Sequence, residues 1–168
     1  MRLYLIPFLL VLCCSCSRTI YVVRHAEKAP VAAGSNMSAT DPPLSDAGQQ
    51  RAEALKEVMK SKKLGYIFST NTIRTRSTAE PTRAHFGLTI ETYPPFGDAA
   101  FFTKVKSLKK NALIVGHSNT LDNIVNGICG SSKIPGDLPE SEYDHLFIIR
   151  KKGKNFIFEQ QRYGAPNQ

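Results

Sequence analysis

The sequence predicts an α/β domain: a three-layer α/β/α sandwich with a mostly parallel central sheet and antiparallel C-terminal strands. Three observations carry that expectation. Short β-rich apolar runs alternate with stretches of helical spacing, the pattern of a parallel sheet covered on both faces. Two of those runs, residues 19–23 and 112–116, lead directly into His25 and His117. The chain then closes on two strand-like runs around Lys152-Gly153, a hairpin signal.

The first run, Thr19-Ile20-Tyr21-Val22-Val23, ends in Arg24-His25-Ala26-Glu27-Lys28. A loop rich in Pro, Ala, Gly and Ser fills residues 29–44. Ser45 is a good helix N-cap, and Asp46 suits the first turn. Ala47, Arg51, Ala54, Leu55 and Val58 then recur at helical spacing, with the stem of Arg51 lying along that face. Residues 64–68 read as a second strand. Residues 72–86 read as a helix containing Pro81 and stopped by Gly87. Residues 88–93 alternate like a strand, and Pro94-Pro95-Phe96-Gly97 breaks it. Asp98 can cap a helix running to about Lys110. The strand at 112–116, a helix over about 120–129, a loop with Pro135, Gly136 and Pro139, and strands at 145–150 and 155–160 complete the chain. No internal repeat and no second domain is evident.

The 168 residues carry a formal net charge of +8. The lysines at 56, 60, 62 and 63, at 104, 106, 109 and 110, and the basic run 150–154 read mostly as solvated faces of helices and turns. They can also attract a phosphorylated substrate or an anionic lipid surface. Nucleic acid is not an expected partner, because no aromatic-interleaved basic motif accompanies the charge. Beyond residue 16 the only cysteine is Cys129, so there is no disulfide framework and no cysteine-rich metal cluster. Its apolar neighbours Ile124, Val125 and Ile128 make it a small buried hydrophobe.

The first sixteen residues have their own pattern. Met1-Arg2 is a short basic start, residues 3–12 are continuously apolar, and Cys13-Cys14-Ser15-Cys16 follows. The apolar run is too short to span a bilayer and matches a secretory signal. The segment resembles a bacterial lipoprotein signal, which implies removal of residues 1–15 and acylation of a cysteine. Cys16 is preferred because the small Ser15 precedes it; Cys13 and Cys14 are alternatives, as is an ordinary cleaved signal or an unprocessed anchor. The expectation is one domain over 16–168, lipid-anchored in the cell envelope and facing the periplasm or the outer membrane.

The chemistry-bearing residues fall at strand ends, where ligand crevices form in open α/β sheets. Between the two histidines, residues 69–80 leave the second strand and enter a helix. A helix N-terminus welcomes an anion, and Arg74 in its first turn adds a planar fork of donors. Two imidazoles with Arg24 and Arg74 therefore suggest work on an oxyanion. His25, Glu27, His117 and Asp122 also offer metal-ligating atoms, but a divalent cation beside two guanidiniums is repelled, so no metal or other cofactor is expected.

Val23-Arg24-His25-Ala26-Glu27-Lys28, the run from Ser69 through Arg74 to Thr78-Ala79-Glu80, and Val115-Gly116-His117-Ser118-Asn119-Thr120 resemble, in order, the histidine phosphatase superfamily, also called phosphoglycerate mutase-like. The resemblance implies that His25 is a nucleophile that is transiently phosphorylated, and that Arg24, Arg74 and His117 surround the phosphoryl group. It implies a phosphatase acting on a phosphate monoester or phosphohistidine, in a small molecule or a phosphoprotein. Alternatives are a phosphoglycerate-type mutase, disfavoured by the short chain, and a non-catalytic phosphate- or phosphoprotein-binding module.

The proton donor to the leaving group is open among Asp98, Glu91, Glu27 and Asp122. Asp98 is preferred because it follows a strand end, and a plain N-cap is its alternative. Without a clear donor, an easily departing phosphohistidine or acyl phosphate suits the sequence better than an alkyl phosphate. Ser118 and Asn119 either bond a phosphate oxygen or cap the next helix. Lys28, Arg51, Arg76 and Arg83 read as solvated, and His85 and His145 as surface or core fillers.

Overall fold

The computed structural model describes residues 17–31 and 38–167; the cysteines at 13, 14 and 16 lie outside them. The order is β1 (Arg18–Arg24), α1 (Asp46–Met59), β2 (Leu64–Ser69), α2 (Ile73–Phe86), β3 (Ile90–Thr92), α3 (Ala99–Ser107), β4 (Asn111–Gly116), α4 (Leu121–Cys129), β5 (His145–Lys152) and β6 (Asn155–Arg162). One six-stranded sheet runs β3-β2-β4-β1-β5-β6. The first four strands in that order are parallel, and β5 and β6 join antiparallel.

Two cores follow from the two-residue period of a strand. Ile20 and Val22 of β1 and Ile114 of β4 face α3 and α4, packing with Phe101, Val105, Leu121 and Ile124. Tyr21, Val23, Leu113 and Val115 point the other way, onto Leu55 and Met59 of α1 and Ala79 of α2. Continuous apolar runs are therefore needed in β1 and β4, because both faces are covered. This is the three-layer sandwich expected from the sequence.

The helix starts are local chemistry. Ser45, Thr72 and Asp98 accept bonds from the N–H groups of Gly48, Thr75 and Phe101 respectively. Gly87 ends α2 at φ 63°, a left-handed conformation that suits glycine. Lys152 pairs with Asn155 across a two-residue turn with Gly153 at φ 61°.

Two boundaries differ from the expectation. Helix α3 stops at Ser107 rather than near Lys110, because Leu108 turns extended at ψ 150° and buries its side chain. Strand β3 spans three residues, since it pairs only with β2 at the sheet edge.

The central strands β1 and β4 are neighbours, yet their exits diverge. From β1 the chain crosses through α1 to β2 on one side; from β4 it passes through α4 to β5 on the other. A crevice opens where the connections part. His25 donates its backbone N–H to the Gly116 carbonyl at 2.9 Å, which ties the two strand ends together there.

Candidate active site

The imidazoles of His25 and His117 lie at these two strand ends with ring centroids 5.5 Å apart. They line a cleft of about 520 Å³ with Lys28, Arg74, Ser118 and Glu140. A larger groove of about 770 Å³ between α1 and α2 contains none of these groups. The smaller cavity, which holds both imidazoles and Arg74, is therefore the candidate site.

His25 is 3% exposed, and its Nδ1 lies 2.8 Å from the Ala26 carbonyl. A carbonyl only accepts, so Nδ1 carries the proton and the lone pair sits on Nε2. Burial drives the His25 pKa down to about 3; the Ala26 carbonyl opposes this, and the charges of Arg24 and Arg74 add to it. The ring is neutral at neutral pH. Its loop is fixed from two sides. Ala26 donates its N–H to Thr78 Oγ1 on α2, and Ser45 donates its N–H to the Glu27 carbonyl. Gly48 is where α1 meets this loop: a Cβ there would lie 2.3 Å from the Glu27 carbonyl oxygen.

His117 is also neutral, with its pKa lowered to about 4 by burial first and then by Arg74 and Arg24. Arg74 Nη2 lies 3.3 Å from Nδ1, and a guanidinium only donates, so Nδ1 accepts. Nε2 then carries the proton and donates to Thr70 Oγ1 at 2.8 Å. Thr70 passes its hydroxyl proton to Thr75 Oγ1, which donates to the Thr70 carbonyl. This short hydroxyl chain fixes both the tautomer and the tilt of the ring.

Arg24 is 1% exposed, and its fork is taken up by the loop before β5. Nη1 donates to the carbonyls of Pro139, Glu140 and Glu142, each at 3.0 Å, and Nη2 to Glu140 Oε2 at 2.8 Å. Tyr143 stacks on the guanidinium at 4.0 Å. Arg74 Nη1 donates to Asp41 Oδ1 at 2.9 Å, and the Asp41 carboxylate also accepts the Ile73 N–H at the start of α2. Each guanidinium is thus paired with a carboxylate of the chain itself, while both buried Nε–H groups lack a partner among the described residues.

Glu140 is the carboxylate that sequence reasoning missed. It accepts from Ser118 Oγ and Arg24 Nη2, and Lys28 Nζ lies 3.6 Å away. The Ser118 bond first, then the charges of Arg24 and Lys28, hold its carboxyl below the usual range against the effect of burial.

The four carboxylates named from the sequence lie elsewhere. Asp98 is exposed, caps α3 at Phe101 N, and does not line the cleft. Glu91 pairs with Lys104 on the sheet edge. Glu27 is held by Arg51 in a two-oxygen contact at 2.9 Å from Nε. Asp122 accepts from Asn123.

Arg51 is not solvated as its sequence context suggested. It is 4% exposed, locked by Glu27 and by the carbonyls of Tyr163 and Ala165. Lys28 lines the cleft. Thr120, rather than Ser118 or Asn119, takes the N-cap position of α4. Among the described residues no group of three or more His, Cys, Asp or Glu side chains could hold a metal ion.

The model of the histidine phosphatase superfamily (branch 1) matches residues 20–103, half of the chain. No curated protein matches the sequence. Solved structures do. The protein histidine phosphatase SixA complexed with tungstate is 18% identical, with 86% of this chain and 96% of that one covered and a TM-score of 0.66. YhfR of Bacillus stearothermophilus is also 18% identical, at 83% and 94% coverage and a TM-score of 0.60. A mycobacterial glucosyl-3-phosphoglycerate phosphatase is 13% identical, at 89% and 100% coverage and a TM-score of 0.58. At these identities the likeness speaks to the fold. The family match and the order of the strands agree: the chain belongs to the histidine phosphatase superfamily, branch 1.

Proposed function

We propose that the chain is a metal-independent phosphatase that hydrolyses a phosphate monoester or phosphohistidine through a phosphohistidine on His25. The observation that carries the reading is the neutral His25 ring, with Nδ1 bonded to Ala26 and Nε2 unprotonated, set 5.5 Å from His117 beside Arg74.

In the first step the Nε2 lone pair forms a bond to phosphorus, and the bond from phosphorus to the leaving oxygen or nitrogen breaks. In the second, water attacks phosphorus, the P–N bond breaks, and phosphate leaves with His25 regenerated. Phosphoryl transfer asks mainly for positioning and for charge stabilisation on the equatorial oxygens. Arg74, Lys28 and Ser118 are the donors that line the cleft, and an oxyanion that displaces Glu140 also frees Arg24 Nη2, which does not itself line it. The Nε–H groups of Arg24 and Arg74, unpartnered among the described residues, support an anionic ligand as well.

The carboxylates support a substrate with a good leaving group. Asp98 is committed to a helix cap, and Glu140 is held in its charged form, so neither is poised to protonate a leaving group. Phosphohistidine, acyl and aryl phosphates leave with little help; alkyl phosphates do not. The neighbours SixA and the mycobacterial phosphatase are described as acting on protein phosphohistidine and on a sugar phosphoglycerate, which marks the two ends of that range.

Attachment to the envelope through Cys16 belongs to the same proposal. It rests on the apolar residues 3–12 and on the small Ser15 before Cys16.

Steady-state rates for a series of aryl and alkyl phosphates test the reading. The expected result is turnover of aryl phosphates that steepens as the leaving group improves and is lost in His25→Ala. Phosphate binding without turnover of any member of the series would favour a binding module instead. Labelling with a radioactive fatty acid, lost in Cys16→Ala, tests the anchor.

A further inference from the structure

Many of the lysines that read from the sequence mostly as solvated faces, and also as attractors of a phosphorylated substrate or an anionic lipid surface, gather at one end of the sandwich. Parallel strands begin at the end opposite the cleft, and the hairpin between β5 and β6 turns there as well, with Arg18 in register with Lys151. The turns at this end are stitched together. Arg18 donates to the Lys106 carbonyl, Thr19 N–H to Asn111 Oδ1 at 2.8 Å, and Asn111 Nδ2 to the Lys62 carbonyl. Lys62 and Lys63 precede β2, Lys109 and Lys110 precede β4, and Lys152 and Lys154 form the hairpin tip.

These six side chains are exposed or half-exposed, and among the described residues none of them pairs with a carboxylate. Glu57 and Glu159, the acids nearest in sequence to the first and last of these pairs, are engaged by Lys60 and Arg150, and Glu91 on the sheet edge by Lys104. The other end carries the acids Asp41, Asp46, Asp98, Asp122, Glu140, Glu142 and Asp144, at strand exits and helix starts. Arg24, Lys28, Arg74 and Arg162 at that end are paired with these acids, so among the described residues the excess of unpaired positive charge lies at the basic end.

Ser17, before the first residue of β1, belongs to the basic end. Whatever precedes it, including the apolar residues 3–12, is joined to the domain there. We propose that this end is a docking surface for an anionic phospholipid membrane. The seven residues of β1 separate it from His25 by about 20 Å, so the cleft faces away from the lipid. An apolar tether and a set of unpaired lysines on the same face are two membrane signals acting together, and neither alone gives stable attachment. The tether is the acyl chain on Cys16 where residues 1–15 are removed and the apolar residues 3–12 where they are retained; the proposal is independent of the reaction assigned to the cleft.

The test is co-sedimentation of the full chain with phosphatidylcholine vesicles, with and without phosphatidylglycerol. The tether contributes to both; the lysines contribute only to the anionic set. The expected result is a preference for anionic vesicles that fades with added salt. It falls at least about tenfold in Lys62→Gln/Lys63→Gln/Lys109→Gln/Lys110→Gln and is unchanged in Arg76→Gln, which lies on α2. Hydrogen exchange of the bound wild-type chain supplies a second readout that needs no variant: the turns before β2 and β4 and the hairpin tip gain protection, and residues 25–28 and 117–120 do not. Equal binding to both vesicle types, protection confined to the cleft loops, or a stronger hold on duplex DNA than on anionic vesicles would each overturn the proposal.

Discussion

Glu140→Gln is the substitution that separates two roles for the carboxylate that, among the described residues, lines the cleft. The native side chain bonds Ser118 and Arg24, and it sits where an incoming oxyanion needs those donors. The amide keeps the size and can still accept from Ser118, while Arg24 stays in place because three backbone carbonyls hold Nη1. What changes is one negative charge. Two unit charges about 4 Å apart interact by about 1 kcal/mol in water and more where the dielectric is lower. Glu140 is 69% exposed, so the watery limit applies, and a phosphate with more than one charge doubles it at most. The expected gain is about 1–2 kcal/mol, or roughly five- to thirtyfold tighter binding of inorganic phosphate. Calorimetric titration of phosphate into both proteins, with competitive inhibition of aryl phosphate hydrolysis alongside, reads it directly. Unchanged or weaker phosphate binding would refute the competing-anion reasoning. A fall of two orders of magnitude in kcat, deepest for poor leaving groups, would instead make Glu140 the proton donor.

Other outcomes follow from the same geometry. Thr70→Val leaves the His117 Nε2 proton without an acceptor, a loss of about 1–3 kcal/mol. It should lower kcat about ten- to a hundredfold with the fold intact by circular dichroism, and Thr70→Ser should restore the rate. Gly48→Ala drives a Cβ to 2.3 Å from the Glu27 carbonyl oxygen, so thermal unfolding should show about 1–3 kcal/mol lost, together with activity, as the His25 loop shifts. Both imidazoles are neutral in the folded chain down to about pH 4 and about pH 3, whereas free imidazole charges near pH 6.5. The unfolded chain thus binds more protons below about pH 6.5, and stability should fall progressively from there towards pH 3. The acid limb of the rate profile, corrected for substrate ionisation, should lie near pH 4. A limb near pH 6.5 would contradict the buried neutral pair.

What the sequence made legible was local. Apolar runs such as residues 112–116 announce strands because both faces of β1 and β4 are buried, and Ser45, Gly87 and Lys152-Gly153 announce boundaries through their own backbone chemistry. The two histidines were readable because each sits at the end of such a run. Asp98 shows the limit of that logic: a carboxylate after a strand end suits an acid and an N-cap equally, and the structure places it as the cap. The pairs Arg24–Glu140 and Arg51–Glu27 were illegible for a different reason. They join residues 116 and 24 positions apart across loops with no periodicity, so no local pattern announces them. Thr70 and Thr75 carry no signal of their own within the strand-to-helix run 69–80; their role appears only where the fold sets Thr70 against His117 and Thr75 against Thr70.

The central claim is that phosphorus is transferred to His25 Nε2. Mixing the protein with an excess of aryl phosphate, quenching within the first turnover and locating bound phosphate by mass spectrometry tests it most directly. The account predicts phosphate on His25, stable in base, lost in acid, and absent from His25→Ala. Turnover with no phosphate on His25, or with phosphate on another side chain, would contradict it.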